Sequence, residues 1–277
     1  MFRKMVSCVC VILVSASLFF YNWFVEAERS IHNFPQNERI EIYHWVQRRQ
    51  LPAPLRNVVA HQTGVNDHVV EKLLYENKVF LLLSLQAAYY HPIRTVSEPS
   101  SPLTVSEFLV DEENNYTEGT HLADIQKGDI LITKNSRFLG WRNGHVGLVV
   151  DAQKGLVLEA LMLGVNTKLC SLHKWETMPS FQVLRLKQGV NSSELENICF
   201  SWLVAEYAME NLVDIPYSLL AGINRSEVTI TDTQCAHLIW YAYKQFGIDL
   251  DSDGGIIVTP ADIQNSPYLE VVQSYGY

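Results

Sequence analysis

Residues 144–161 read GHVGLVVDAQKGLVLEAL, two short runs rich in Val and Leu that are joined by a polar segment at residues 151–155. Such runs around a polar, glycine-containing loop are typical of a β-hairpin. Similar short apolar runs lie outside it, at residues 128–133, 167–172 and 181–186. Two amphipathic helices are predicted at residues 193–211 and about 234–246. The sequence therefore predicts the α+β fold class, with a central antiparallel sheet packed by helices.

The register of this hairpin predicts which side chains share a face of the sheet. If Val150 pairs with Leu156, then Gly147 lies opposite Glu159, and His145 becomes a diagonal neighbour of Glu159 at about 7 Å. Gly147 would leave the space between them empty. A buried carboxylate needs a partner, so we expect an ion pair between His145 and Glu159. A register slip of one residue would place them on opposite faces.

A cysteine is predicted to open the second of the two helices. Residues 231–233 are Thr, Asp and Thr, which are typical helix caps, so the helix is predicted to begin at Cys235 and to end near Gly247. Apolar residues recur at helical spacing in Leu238, Ile239, Ala242 and Phe246. This spacing places Cys235 on the face that points into the protein.

The sequence thus offers the parts of a nucleophilic triad. The positive end of a helix dipole favours a thiolate at Cys235, and His145 can serve as the base. Glu159 would orient the imidazole and support its charged form. The other histidines lie in segments predicted as helix, loop or tail, and His237 points away from Cys235 because it is only two residues further along the helix.

Two alternatives use the same residues. Cys235 could be a buried structural cysteine beside a buried ion pair, since free cysteines are often core residues. The three residues and His237 could also bind zinc, but the chain lacks ligand spacings such as CxxC and HExxH. No metal and no cofactor are expected.

The N-terminus is predicted to direct export. Arg3 and Lys4 precede an apolar run at residues 5–24, and residues 25–27 fit a cleavage site after Ala27. The run is also long enough to act as an uncleaved anchor, so residues 1–27 are predicted to be a signal peptide or a membrane anchor. Either outcome predicts an extracytoplasmic protein, secreted or anchored by this segment.

Three cysteines follow the predicted signal, and the odd number leaves at least one thiol free in an oxidising compartment. Cys170 and Cys199 could pair with each other or lie separately in the core. Cys235 would then be the free thiol.

Composition excludes one class of partner and suggests the domain organisation. The 277 residues carry a net charge of −9, which argues against nucleic-acid binding. Ala60, Gly64 and Val70 have the spacing of a helix-turn-helix unit, and we interpret them as two short helices around a glycine turn. The segments are predicted to be a helical N-terminal region, a polar linker and a catalytic domain, at residues 28–95, 96–118 and 119–277.

The ordered motifs resemble a known family. GDI, GHVGLVVD, VLEA and DTQCAHLIWYAYK occur in this order between residues 128 and 244. They are similar to the circularly permuted papain-like cysteine amidases of the NlpC superfamily, in the YiiX-like and YycO-like branch. In this branch His and Glu precede Cys. The resemblance covers about residues 121–272 and includes a C-terminal strand, GIIV, before a TP-x-D turn and a short helix.

The resemblance implies a permuted papain-like fold and roles for particular residues. Cys235 would be the nucleophile, His145 the base and Glu159 the third member. Tyr217 matches a position where the family often has a tyrosine near the cleft. His237 stands where the family commonly has Glu in Cys-Ser-Glu-Leu-Val, near the cleft mouth, so the substrate does not carry over directly.

Three functions remain open at this level. The resemblance implies a thiol hydrolase that cleaves an amide bond, in peptidoglycan peptides or a related small amide. The same thiol could act as an acyltransferase or thioesterase on lipid-like substrates, with apolar cleft candidates Trp141, Leu161, Met162 and Leu163. A non-catalytic envelope-binding module is the third. Contact with a membrane is expected only through the N-terminal segment.

Overall fold

The computed structural model describes residues 2–28, 35, 37–101, 104–138, 140, 142–187, 194–222 and 229–277. Within two helices, residues 2–7, 22–28 and 194–199 are described by their backbone alone. The helices are α1 (Phe2–Glu28), α2 (Tyr43–Val46), α3 (Ala53–Thr63), α4 (Asp67–Tyr75), α5 (Val79–Tyr89), α6 (His173–Glu176), α7 (Glu194–Asn211), α8 (Cys235–Lys244) and α9 (Pro260–Gln264). The strands are β1 (Thr95–Ser101), β2 (Thr104–Leu109), β3 (Ile130–Thr133), β4 (Ser136–Phe138), β5 (His145–Asp151), β6 (Leu156–Glu159), β7 (Lys168–Ser171), β8 (Phe181–Leu186) and β9 (Leu269–Tyr275).

An antiparallel sheet of six strands, in the order β7-β6-β5-β3-β8-β9, forms the centre of the fold. The five apolar runs predicted as strands between residues 128 and 186 lie in this sheet, and both predicted helices form, as α7 and α8. The predicted α+β class is therefore confirmed.

The sheet has a hydrophobic core on each face, because side chains of successive strand residues point to opposite sides. Val146 and Leu148 of β5 pack with α7 and α8 on one face. Val149 packs on the other face, with residues of α3, α4 and α5 and with Trp175 of α6. The N-terminal helices thus cover the sheet and share its core.

The turn between α3 and α4 ties these helices to the edge of the sheet. Gly64 has no side chain and adopts φ +73° at this turn. Its carbonyl accepts a hydrogen bond from the Ser274 N–H at 2.7 Å. A Cβ at Gly64 would lie 2.4 Å from the Ser274 carbonyl oxygen. The glycine turn predicted between two short helices is present, and it serves the packing of α3 and α4 against β9.

The segment 96–118, predicted as a linker, instead contains strands. β1 and β2 pair with each other and β2 pairs with β4, in a separate three-stranded sheet. The polar composition misled the prediction because β1 is an exposed edge strand, and strand pairing needs only backbone groups. Glu107 of β2 is nevertheless buried, where Arg142 forms hydrogen bonds to both of its oxygens.

The C-terminal strand predicted from the GIIV motif is absent from residues 254–258, and the last strand is β9. Asp251 Oδ1 accepts hydrogen bonds from the Asp253 and Gly254 N–H groups, so these donors are satisfied locally and not by a neighbouring strand. The short helix that the motif predicts does form, as α9. Thr259 and Asp262 form its capping box.

The predicted signal peptide or anchor falls on α1. Within the described part of the chain, no helix combines the length and the apolarity that a membrane span requires. Export remains a prediction from the sequence.

Candidate active site

The hairpin of β5 and β6 has the predicted register. Leu148 pairs with Leu158 and Val149 pairs with Val157. At the loop, Asp151 and not Val150 pairs with Leu156, so a β-bulge absorbs one residue at that end. The irregularity lies at the loop end of the strands, so His145 and Glu159 keep the relation that the sequence predicts.

Glu159 is fully buried and is surrounded by nitrogen donors. Its Oε2 lies 3.4 Å from Nε2 of His145 and accepts a hydrogen bond from Nζ of Lys174 at 2.8 Å. Its Oε1 accepts a hydrogen bond from the indole N–H of Trp175, also at 2.8 Å. The predicted ion pair is therefore present, and it belongs to a larger cluster in which α6 supplies two of the three partners.

Trp175 occupies the space that was expected to be empty beside Gly147. A Cβ at Gly147 would lie 2.6 Å from Cγ1 of Val157, 3.1 Å from Cζ2 of Trp175 and 3.2 Å from Cγ of Glu159. The indole also stacks on the imidazole of His145, with centroids 5.9 Å apart and planes 17° apart. Gly147 is thus required so that the indole can reach both members of the pair.

Lys174 and Trp175 were missed in the sequence. They lie 15 and 16 residues after Glu159, in a four-residue helix, and no periodic pattern relates them to the hairpin. The sequence offers one indication of a buried contact here, which is the single tryptophan among the polar residues of HKWE directly after a predicted strand.

α8 begins at Cys235 as predicted, but its cap differs. Gln234 is the capping residue, and its Oε1 accepts a hydrogen bond from the Ala236 N–H at 2.9 Å and one from the Cys235 thiol at 3.6 Å. Its Nε2 donates to the Val258 carbonyl at 2.7 Å. The helix ends at Lys244, before the Gly247 end predicted from the sequence. Gln234 therefore fixes the start of the helix and the thiol that it carries.

The thiol of Cys235 lies close enough to the imidazole of His145 to affect its pKa. Nε2 of His145 is buried and lies 3.4 Å from Oε2 of Glu159. Burial alone would lower the pKa of His145, but the hydrogen bond with Cys235 and the Glu159 carboxylate outweigh it and raise that pKa to about 9. Burial opposes ionisation of Glu159, yet His145 and Lys174 lower its pKa to about 2. At neutral pH the pair is therefore imidazolium and carboxylate.

Tyr217 lies directly beside the start of α8, because it forms a parallel β-bridge with Thr233. Burial and then the charge of Cys235 raise the pKa of its phenol. The structure thus brings Tyr217 close to Cys235, as the resemblance implies.

His237 is buried, with 4% of its surface exposed. Its Nδ1 lies 3.1 Å from the hydroxyl of Thr233, and its ring packs on Trp240. Burial lowers its pKa to about 4, so it is neutral at pH 7. His237 packs the start of α8 from within, and the expected place near a cleft mouth does not fit this burial.

The site has little open surface. Cys235 and His145 are each 9% exposed, and neither residue lines the two cavities of about 640 and 500 Å³ that lie elsewhere among the described residues. Leu163, one of the predicted apolar cleft residues, is 51% exposed, while Leu161 and Met162 are half-buried. Trp141 lies outside the described residues, as does the side chain of Cys199, and Cys170 is a free thiol.

The buried pair should make folding stability depend on pH. The pKa of His145 rises from its ordinary 6.5 to about 9, so its contribution is complete below pH 6.5 and is lost as pH rises through about 9. The pKa of Glu159 falls from 4.5 to about 2, so its contribution is present above pH 4.5 and is lost as pH falls through about 2. We expect the difference in unfolding free energy between the wild type and His145→Gln to be largest at pH 4.5–6.5. Urea denaturation across pH 4–9.5 measures it, and a difference that does not shrink toward pH 9 would contradict the assignment.

The chain is similar to an uncharacterized protein, YycO, of Bacillus subtilis (strain 168). The two are 30% identical over 149 residues, which are 53% of this chain and 56% of YycO. The chain thus spans about half the length of the curated relative that it matches. No protein-family model matches the chain, and a search of solved structures found no match.

Proposed function

We propose that the protein is a thiol hydrolase that cleaves an amide bond through Cys235, His145 and Glu159, on a permuted papain-like fold. The observation that carries the proposal is the placement of the His145 imidazole between two groups. The thiol at the start of α8 affects the pKa of His145, and the fully buried carboxylate of Glu159 lies 3.4 Å from its Nε2. Covalent acyl transfer requires a nucleophile, a base and a group that orients the base, and these three residues can fill those roles. A merely structural cysteine would not need a histidine partner.

Each group has a defined step in this reaction. Cys235 attacks the carbonyl carbon as the thiolate, with the proton held on His145, and the electron pair of the C=O bond moves to oxygen. When the tetrahedral intermediate collapses, the C–N bond breaks and His145 gives its proton to the leaving nitrogen, which releases the amine and leaves a thioester. Water then loses a proton to His145 as it attacks the thioester, the C–S bond breaks, and the acid is released with Cys235 again a thiolate beside the imidazolium.

Glu159 and its partners serve the imidazole in both steps. The carboxylate stabilises the imidazolium, and the stacked indole of Trp175 keeps the ring in one plane. His145 and then Lys174 lower the pKa of Glu159 against the effect of burial. Glu159 and Trp175 are fully buried, so the surrounding packing holds both side chains in place.

The proposed substrate is an amide in cell-wall peptides or a related small amide, met outside the cytoplasm. The predicted export segment and the similarity to a bacterial protein support this choice. Acyl transfer on lipid-like substrates is the second candidate. Exposed apolar residues favour it, because Leu163 follows the Glu159 strand and Leu220, 67% exposed, follows Tyr217.

Selective modification of the thiol tests the proposal. With limiting iodoacetamide at pH 7, peptide mass spectrometry should show Cys235 alkylated faster than Cys170, although Cys235 is the more buried of the two. Burial and then the charge of Glu159 raise the pKa of Cys170, so it is the slow reference thiol. Slower alkylation of Cys235 than of Cys170 would favour a non-catalytic module.

A substrate screen then separates the two enzymatic candidates. The full chain is incubated with muropeptides, acyl-lipids and simple amides, with Cys235→Ala as the blank. Release of an amine from a muropeptide or simple amide supports the hydrolase, whereas thioester formation from an acyl-lipid supports acyl transfer.

A further inference from the structure

Residues 216–222, here called the Tyr217 segment, lie against the residues that precede α8. The Thr233 N–H donates to the Pro216 carbonyl at 2.9 Å, and the Ser218 N–H donates to the Thr233 carbonyl at 2.8 Å. These two hydrogen bonds hold the backbone on both sides of Tyr217. The position of Tyr217 therefore depends on how firmly Thr233 is itself held.

Two leucines of the Tyr217 segment point into solvent and not into the core. Leu219 and Leu220 are 38% and 67% exposed, so their side chains add little to the attachment of the segment. Ala221 is buried, and its N–H donates to the Ser218 carbonyl at 3.3 Å, which closes a turn. The contacts at the two ends of the segment consequently decide where it lies.

His237 is buried at both of these ends. Its Nδ1 lies 3.1 Å from the hydroxyl oxygen of Thr233, which is also buried. That hydroxyl donates to the Gln234 carbonyl at 3.2 Å, so its oxygen can accept the Nδ1–H of a neutral imidazole. At the other end the ring lies against Gly222, where a Cβ would be 2.6 Å from Cδ2 of His237. The imidazole thus contacts the last residue of the segment and the residue that pairs with Tyr217.

Only part of this contact is specific to histidine. The ring packs on Trp240 and Tyr241, with centroids 5.6 and 5.9 Å away, and an apolar ring could fill the same space. A buried imidazole costs free energy unless its N–H is hydrogen-bonded, and the Thr233 hydroxyl satisfies it here. The hydrogen bond to Thr233 is therefore the feature that a phenylalanine would lose.

We propose, on the basis of the thiol chemistry assigned to Cys235, that His237 is a positioning residue that holds the Tyr217 segment and its phenol beside the thiol. The charge of Cys235 helps to raise the pKa of Tyr217, after the larger effect of burial, so phenol and sulfur are neighbours. A phenolic O–H beside the sulfur is a donor for the oxygen of a bound amide, and such a donor works only when it is placed to within about 0.5 Å.

The position of Tyr217 can be measured without a substrate. Fluorotyrosine incorporated at Tyr217 alone gives one fluorine NMR resonance, which Cys235→Ala should move because the sulfur is close. His237→Phe keeps a buried ring and removes the N–H, so it should also move the resonance. His237→Asn offers an amide N–H near the place of Nδ1 and should return the resonance toward its wild-type position.

Turnover of the amide found in the screen provides a double-mutant cycle. His237→Phe and Tyr217→Phe should each lower kcat by about tenfold or more. The double variant should lose no more than Tyr217→Phe does alone, because His237 acts through Tyr217. Independent, additive losses would overturn the proposal.

Two further variants separate positioning from stability. Thr233→Val removes the hydroxyl from the other side of the contact and should move the resonance as His237→Phe does. Tyr243→Phe removes a different buried hydrogen bond of α8, to the Gly128 carbonyl at 2.7 Å, and should leave the resonance and turnover unchanged.

The fluorine resonance also separates this role from the proposed reaction. A wild-type resonance in both His237→Phe and Thr233→Val would overturn the proposal, as would an unmoved resonance in Cys235→Ala. Resonances that move as expected, in a wild type that cleaves no amide, would count against the hydrolase and still support the positioning role of His237.

Discussion

Replacing Cys235 by alanine should abolish amide cleavage and covalent labelling at this position, and His145→Ala should lower turnover by about 10⁴-fold or more. The sulfur of Cys235 forms the thioester, and among the described residues the imidazole of His145 is the titratable group near the thiol that can carry the proton to the leaving amine. Since His145 lies 9% exposed in the strand, water cannot readily replace it. Turnover of the amide identified in the screen, and the alkylation rate of Cys235, are the two measurements.

Matched controls distinguish loss of chemistry from loss of folding. Cys10→Ala removes an exposed thiol in α1, and His61→Gln removes an exposed histidine in α3. Both should retain turnover near the wild-type rate. If His145→Ala remains folded by circular dichroism and keeps more than about a tenth of the activity, His145 is not the general acid and base.

Glu159→Gln should lower turnover by about 10²-fold or more, because the amide keeps the shape of the side chain and removes the charge that stabilises the imidazolium. The pKa of His145 should fall from about 9, since burial then acts against a weaker attraction. The alkaline limb of kcat/KM against pH should therefore move to lower pH. An unchanged limb with wild-type turnover would leave at most a Cys–His pair.

Stability alone cannot identify the role of Glu159. His145, Lys174 and Trp175 are all donors toward this carboxylate, so an amide NH₂ must face one of them, and Glu159→Gln should destabilise the fold by about 1–3 kcal/mol under either interpretation.

Trp175→Phe is the matched variant. It removes one hydrogen bond to Glu159 and keeps the charge beside His145, so it should lose comparable stability while turnover falls less than about tenfold and the alkaline limb stays near pH 9. Equal losses of turnover in the two variants would assign Glu159 a structural role only.

Local pattern was sufficient where the partners are close in sequence. The register of β5 and β6 follows from a short polar loop and from strand residues that alternate between two faces, so the sequence places His145 and Glu159 together. The start of α8 at Cys235 follows from its apolar periodicity. In contrast, the cap was misplaced by one residue, because polar residues at 231–234 are all compatible with capping and only the contact of Gln234 with Val258 selects among them.

Composition was a weaker guide to the exposed elements. Pairing of β1 with β2 uses backbone groups that any sequence provides. The polar side chains of this segment therefore led to the wrong prediction of a linker where two strands form. Conversely, the apolar GIIV segment is not a strand, and the N–H of its first residue, Gly255, donates to Oδ1 of Asp253 at 2.6 Å instead of to a neighbouring strand.

The antiparallel hairpin and the helix that begins at Cys235 follow from local pattern, because periodicity and loop length act over fewer than about twenty residues. The surroundings of Glu159 and of α6 follow instead from long-range packing. Lys174 and Trp175 reach the carboxylate, and Glu118 reaches His173, because chain segments distant in sequence pack side by side. A buried carboxylate must find donors, but its own sequence neighbourhood does not say which segment supplies them.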